Sequence, residues 1–377
     1  MPDRIERWRL VLGQEADSEL GVELGLEAAA IDRTLQALYD SERTGKLGAS
    51  SPHVARWLGD IRSYFPSSVV QVMQRDALDR LGLRQMLLEP ELLEQVEPDV
   101  HLVASLVSLG SVIPARTRET ARQVVRKVVG ELEQRLRGPM HQAVRGALQR
   151  VQRTSRPRPN EIDWDRTILE NLRHYSAEHQ TIVAERVVGF ARRRSALRDI
   201  VLCIDQSGSM ASSVVYSSIF GAVLASLRSV ATRFVLFDTA VVDRSDELRD
   251  PVELLFGTQL GGGTDIQRAL AYCQRIITRP AQTILVLISD LYEGGDAQEL
   301  LARAAALKQS GVNVVCLLAL DDQGAPAHDH DNARAFANLA IPVFACTPDL
   351  FPELMAAAIQ KQDLATWAAR HEIVTAR

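Results

Sequence analysis

The hydrophobic positions change their period part-way along the chain. From residue 199 onward, short unbroken apolar runs alternate with longer amphipathic ones. The runs at 200–204 (IVLCI), 233–238 (RFVLFD), 283–289 (TILVLIS), 312–319 (VNVVCLLA) and 342–346 (PVFAC) predict strands. Residues 213–229, 265–277, 296–309, 331–339 and 349–360 predict helices around and between them. A strand that is apolar at every position is buried on both faces, which calls for a mostly parallel sheet covered by helices on each side. The expected fold class is α/β, a doubly wound, Rossmann-like sheet whose ligands bind beyond the carboxyl ends of its strands.

The first 150 residues carry a helical period instead. Val124, Val125, Val128, Val129, Leu132 and Leu136 fall on one face of a helix over 120–136, with Arg122, Arg126, Lys127 and Arg137 mostly outside that stripe. Apolar patches at 31–38, 81–93 and 100–107 predict further short helices, and Gly138-Pro139 predicts a helix break. The run RTSRPRPN at 153–160 reads as extended and exposed. Beyond it, Asp165 is placed to cap a helix over 166–174, and 181–190 reads as a strand. The expected organisation is an all-helical domain over 1–152, a linker and lead-in over 153–198, and an α/β domain over 199–377 that ends in helices.

Composition narrows the class. With 377 residues, 46% hydrophobic and 24% charged, the chain has the mix of a globular protein long enough for two domains. A net charge of −5 implies no strongly charged partner. Cys203, Cys273, Cys316 and Cys346 are widely spaced with no CxxC pair, so reduced thiols are expected rather than a disulfide or zinc site. The opening MPDRIERWRL lacks the apolar core of a signal peptide, and a cytoplasmic protein is expected. Met210 to Leu227 is uncharged and about as long as a bilayer-spanning helix. Its five serines, and its place straight after an aspartate-serine turn, read instead as a buried helix and not a membrane span.

Candidate chemistry sits at the strand ends. The run 200–204 stops at Asp205, followed by Ser207 and Ser209 at alternate positions, and Asp290 closes the run ILVLISD. Between them, LGGGTD at 260–265 offers Thr264 just before a helix, with three glycines that let the backbone come close. Two carboxylates and several neutral hydroxyls form the oxygen set that a hard divalent cation takes, with room left for water. A helix cap would account for the serines alone, but not for Thr264 and Asp290 as well.

Taken together, these residues resemble the von Willebrand factor A (VWA) domain and its metal-ion-dependent adhesion site, whose motif is Asp-x-Ser-x-Ser, then a distant Thr, then a distant Asp. The motif falls on Asp205, Ser207, Ser209, Thr264 and Asp290, and the likeness covers about 199–360. It implies that the serines and threonine hold Mg2+ or Mn2+, with the aspartates binding directly or through water. It also implies a coordination position left open for a partner's carboxylate. The layout of the whole chain is similar to the bacterial CoxE-like group of VWA proteins. That likeness implies an adaptor or co-chaperone that works with a MoxR-type AAA+ ATPase in assembling or remodelling client proteins.

His328-Asp329-His330-Asp331 could bind a second cation, but it precedes a predicted helix and reads as a solvated loop with an N-cap. Asp238 and Asp243 are either outer groups of the metal site or loop residues, and Asp265 either caps a helix or backs the site. Residues 116–158 hold twelve basic side chains against three acidic ones. That surface suits phosphate contacts, yet it has no interleaved aromatics and no nucleic-acid motif. It reads as a solvated face or a dock for an acidic protein, leaving RNA binding as the alternative. A hydrolase of the haloacid dehalogenase type needs a carboxylate where Ser207 stands, no Walker-type GxxxxGK[ST] is present, and no histidine motif serves Ser207 as a base. A non-enzymatic protein is expected.

Overall fold

The computed structural model describes residues 4–13, 21, 24–39, 51–80, 87–110, 112–150, 153–154, 159, 162–177, 179–190, 198–321 and 327–375. The sheet forms where the apolar runs predicted it. Its strands are β1 (Arg198–Asp205), β2 (Val230–Phe237), β3 (Val241–Asp243), β4 (Thr283–Ile288), β5 (Asn313–Leu320) and β6 (Val343–Cys346). They lie in the order β6-β5-β4-β1-β2-β3. All neighbours are parallel except the edge strand β3, which pairs antiparallel with β2. Every residue of β4 is buried, and β1 is buried from Ile200 to Asp205.

Helices cover both faces. On one face, α3 (Ile266–Ile276), α4 (Ala297–Gln309) and α5 (His330–Asn338) pack Leu270, Cys273, Leu300, Leu307 and Phe336 against Cys203, Val235, Leu285 and Cys316. On the other lie α2 (Ala211–Ala225) and α6 (Phe351–Ile359), joined by Phe220 and Phe351 with ring centroids 4.5 Å apart. The apolar stretch from Gly208 to Ala225 is this core helix, 67% buried. Its serines find partners inside: Ser213 Oγ accepts from the Leu320 amide at 3.0 Å, and Ser218 Oγ donates to the Val214 carbonyl at 2.8 Å.

Residues before the sheet are mainly helical. The chain divides into compact units 1–128 and 129–377, so the divide falls inside helix α1 (Ala115–Arg150); the linker expected at 153–160 lies mostly outside the described residues. In the first unit, Leu38, Trp57, Ile61, Val70, Met73 and Leu92 form a core. The Trp57 indole is satisfied by the Thr34 carbonyl at 3.0 Å. Within the described part of the predicted helix over 81–93, an α-helix forms at Pro90–Leu93, and 81–86 lie outside the described residues.

Three local expectations are corrected. Helix α1 does not break at Gly138-Pro139. Leu136, Met140, Val144 and Leu148 are buried at four-residue steps across the proline. At about 1.5–3 kcal/mol for each buried apolar side chain, their burial outweighs the roughly 3 kcal/mol of an interior proline. The cap after the linker is Asp163, not Asp165: its carboxylate accepts from the Arg166 amide, and the helix spans only Trp164–Glu170. The strand expected over 181–190 is two short pieces, Thr181–Ile182 and Gly189–Phe190. Between them the chain turns around the buried Asn171, whose amide oxygen accepts from the Glu185 and Arg186 amides at 2.9 and 3.1 Å.

Candidate metal centre

Strand β1 lies in the middle of the sheet, with β2 on one side and β4 on the other. The chain winds outward to β2 and β3, then returns across β1 to start β4. The strand order reverses there, and the crevice at the carboxyl ends of β1 and β4 is the switch point of the fold. Register pairs Ile204 with Ile288, which places Asp205 beside Ser289 and brings Asp290 to the same rim.

The aspartate-serine loop is organised around Asp205. That residue is fully buried. Its Oδ1 accepts from the Ser207 amide at 2.8 Å, bending the chain as an aspartate turn does, and a 3-10 turn follows over Gly208–Met210. Its Oδ2 accepts from the Ser289 hydroxyl at 2.8 Å. The hydroxyls of Ser207 and Ser209 lie 3.3 Å apart, and Ser209 donates to Asp290 Oδ2 at 2.7 Å. Asp205, Ser207, Ser209 and Asp290 thus form one connected cluster of oxygen atoms.

Thr264 joins through the backbone. The Gly261 amide donates to the Gln206 carbonyl at 3.0 Å, tying the glycine loop to the loop of Asp205. The Gly294 amide donates to the Thr264 carbonyl at 2.8 Å, tying it to the loop of Asp290. Gly261 and Gly262 have φ of +116° and +109°, which only glycine adopts readily, so the loop needs both. The Thr264 hydroxyl has no hydrogen-bond partner among the described residues.

Burial pushes the Asp205 carboxyl up to about 6. Hydrogen bonds from Ser207 and Ser289 oppose that rise, and the nearby Asp290 adds to it. A buried carboxylate beside a second one, ringed by hydroxyl oxygens, is a donor set short of positive charge. It fits a hard divalent cation by ligand type: all oxygen, two carboxylates and neutral hydroxyls.

The other tempting acids make local hydrogen bonds outside this cluster. Asp238 Oδ1 accepts from the Ala240 amide at 2.6 Å. Asp243 accepts from Ser245 and from the Tyr272 hydroxyl. Asp265 caps α3 through the Arg268 amide, and Asp329 caps α5 through the amides of Asp331 and Asn332. His328 and His330 meet edge-to-face, with ring centroids 4.3 Å apart. Among the described residues, no three or more His, Cys, Asp or Glu side chains gather as a metal cluster. All four cysteines are buried, and burial pushes the Cys346 thiol up to about 12 and raises those of Cys203 and Cys316.

Two residues of the site escaped the sequence reading. Ser289 looked like the last position of an apolar strand, and its only signal was a hydroxyl next to Asp290. Glu293 accepts from the Ile266 and Gln267 amides at 2.9 and 3.2 Å, linking the loop of Asp290 to α3. Nothing within its own neighbourhood in sequence pointed to that.

The family model for VWA domain containing CoxE-like protein matches residues 132–355. The chain belongs to the CoxE-like VWA family. This CoxE-like chain is 34% identical over 368 residues to a protein of Escherichia coli (strain K12) called "Uncharacterized protein YehP", covering 94% of this chain and 97% of that one. Among solved structures, it is similar to an aerotolerance-related membrane protein from Bacteroides fragilis NCTC 9343, at 15% identity and a TM-score of 0.33, over 45% of this chain and 99% of that one. It is also similar to a von Willebrand factor type A structure from Catenulispora acidiphila, at 18% identity and a TM-score of 0.34, over 45% of this chain and 43% of that one. The family match begins within α1, well before the first strand of the CoxE-like sheet.

Proposed function

We propose that this CoxE-like VWA protein is a non-enzymatic, divalent-cation-dependent interaction module. Asp205, Ser207, Ser209, Thr264 and Asp290 would hold Mg2+ or Mn2+. The observation that carries the reading is the connected oxygen cluster of Asp205, Ser207, Ser209 and Asp290 at the switch point of the sheet. When bound, the cation supplies a positive centre to which a carboxylate from another protein can bind. The protein's own residues do the rest. Ser289 orients the Asp205 carboxylate, and the Ser207 and Ser209 hydroxyls face the rim as neutral donors, leaving charge on the ion for the incoming acid. The partner is a protein presenting Asp or Glu. The resemblance to CoxE-like proteins makes a MoxR-type AAA+ ATPase or its client the first candidate, in a cytoplasmic assembly or remodelling role.

Calorimetry tests the site directly. Wild-type protein should bind one Mn2+ or Mg2+, and Asp205→Ala should abolish binding while the far-ultraviolet circular dichroism stays unchanged. Unaltered affinity in that variant would remove the assignment.

A further inference from the structure

Glu293 stands three residues beyond Asp290 and bonds to both sides of the candidate site. Its Oε2 accepts from the Ile266 and Gln267 amides at 2.9 and 3.2 Å, at the start of α3 and just past Thr264. Its Oε1 accepts from the Gly295 amide at 2.7 Å, inside its own loop. Helix α3 already has a local cap, because Asp265 Oδ1 accepts from the Arg268 amide at 2.9 Å. That cap satisfies only one of the free amides at the helix start; Glu293 satisfies two more from 27 and 26 residues away, so its share of the cap also ties α3 to the loop of Asp290.

The two loops also touch through their backbones at this point. The Gly294 amide donates to the Thr264 carbonyl at 2.8 Å, and a Cβ on Gly294 would sit 2.8 Å from that same oxygen. Between Asp290 and Glu293 lies Leu291, fully buried and with φ of 64°, a left-handed conformation that a leucine rarely adopts. Its amide donates to Ser289 Oγ at 3.1 Å, the hydroxyl that in turn donates to Asp205. A disfavoured backbone persists where its surroundings over-determine it, and such places cluster at functional sites. Here Ser289 holds one end of the loop and Glu293 the other.

We propose that Glu293 is a positioning residue of the cation site: its carboxylate clamps the start of α3 to the loop of Asp290, and so sets where Thr264 stands relative to the oxygens of Asp205, Ser209 and Asp290. The inference rests on the reading of those residues as a metal site. Both carboxylate oxygens of Glu293 are engaged by amides, so it acts through the loops and not as a ligand. Groups that orient metal ligands typically change metal affinity by about 10–100-fold when removed.

The test measures Mn2+ affinity of the full-length chain by calorimetry at neutral pH, together with thermal unfolding in chelator. Glu293→Ala should weaken binding by about tenfold or more. Glu293→Gln should weaken binding less than Glu293→Ala, because its one carboxamide oxygen can still accept from Ile266 and Gln267 while its NH2 group loses the bond from the Gly295 amide. Gly294→Ala should weaken binding by wedging the loops apart. Asp296→Ala, which removes the cap of α4 at the Gln298 and Glu299 amides without bridging the loops, should leave affinity unchanged. Glu293→Ala binding as tightly as wild type would overturn the inference while leaving the metal reading intact. So would a loss of affinity matched by a fall in melting temperature in chelator larger than that of Asp296→Ala, since that marks a merely structural role. If wild type binds no Mn2+, the metal reading fails and the proposed role of Glu293 falls with it.

Discussion

Asp205 is fully buried, and that burial pushes its carboxyl up to about 6 from an ordinary 3.8. The unfolded chain therefore releases this proton at lower pH than the folded chain does. Between about pH 4 and 6 the folded state holds more protons than the unfolded state, so stability falls as pH rises through that window. Without metal, a shift of this size amounts to at most about 3 kcal/mol. In chelator, the melting temperature of wild type should drop relative to Asp205→Asn as pH rises from 4 to 6, then stay lower. Adding Mg2+ at pH 7 should raise it for wild type and not for the Asn variant. Parallel pH profiles for the two proteins would show that the burial of Asp205 carries no such penalty.

At the scale of elements, the close packing of α2 on the sheet is concentrated at Gly221. A Cβ there would lie 2.7 Å from Leu248 Cδ2 and 2.9 Å from Phe234 Cδ2. Alanine favours a helix over glycine by about 1 kcal/mol, but the Phe234 ring is fully buried and cannot swing clear. Overpacking typically costs about 1–3 kcal/mol, so Gly221→Ala should be net destabilising by about 1 kcal/mol, measured by urea denaturation. A more stable variant would mean that α2 can slide on its strands. The segment after α1 offers a second test. Arg153–Thr154 pair with Gly189–Phe190, so the expected linker starts after Thr154; of 155–160 only Pro159 is among the described residues. Limited digestion with a non-specific protease should cut first within 155–160, and uniform resistance across that stretch would count against a linker there.

For the whole molecule, two surfaces compete for the proposed interaction. Helix α1 exposes Arg126, Lys127, Arg137 and Arg145, a basic alternative to the rim of the sheet. If the cation site carries the proposed interaction, capture of a MoxR-type ATPase or client, the partner proposed above, should fail with chelator and with Asp205→Ala or Thr264→Ala. It should survive charge reversal of those four basic residues. Binding that ignores chelator but disappears on charge reversal would move the interaction to α1 and leave the cluster at Asp205 with another role.

The sequence alone determined the sheet and the acids at its rim, because both are local signals. A strand buried on two faces must be apolar at successive positions, and an aspartate that ends such a run must lie at the carboxyl edge; Ile200–Asp205 and Ile284–Asp290 show both. The serines were legible for the same reason, spaced two apart on one turn. Only the tertiary structure decided the rest. Edge strand β3 has just three residues, none fully buried, so no apolar run announces it. Pro139 stays inside α1 because burial of Leu136, Met140 and Val144 outweighs a local rule. Asp163 and Asp165 are equivalent as caps in sequence, and the fold uses Asp163, whose own amide bonds to the Val188 carbonyl at 2.9 Å. Ser289 and Glu293 gain their roles from partners 84 and 27 residues away. Hydrogen bonds of that span exist only once β1, β4 and α3 have been packed side by side, and no period or motif in the chain can encode them.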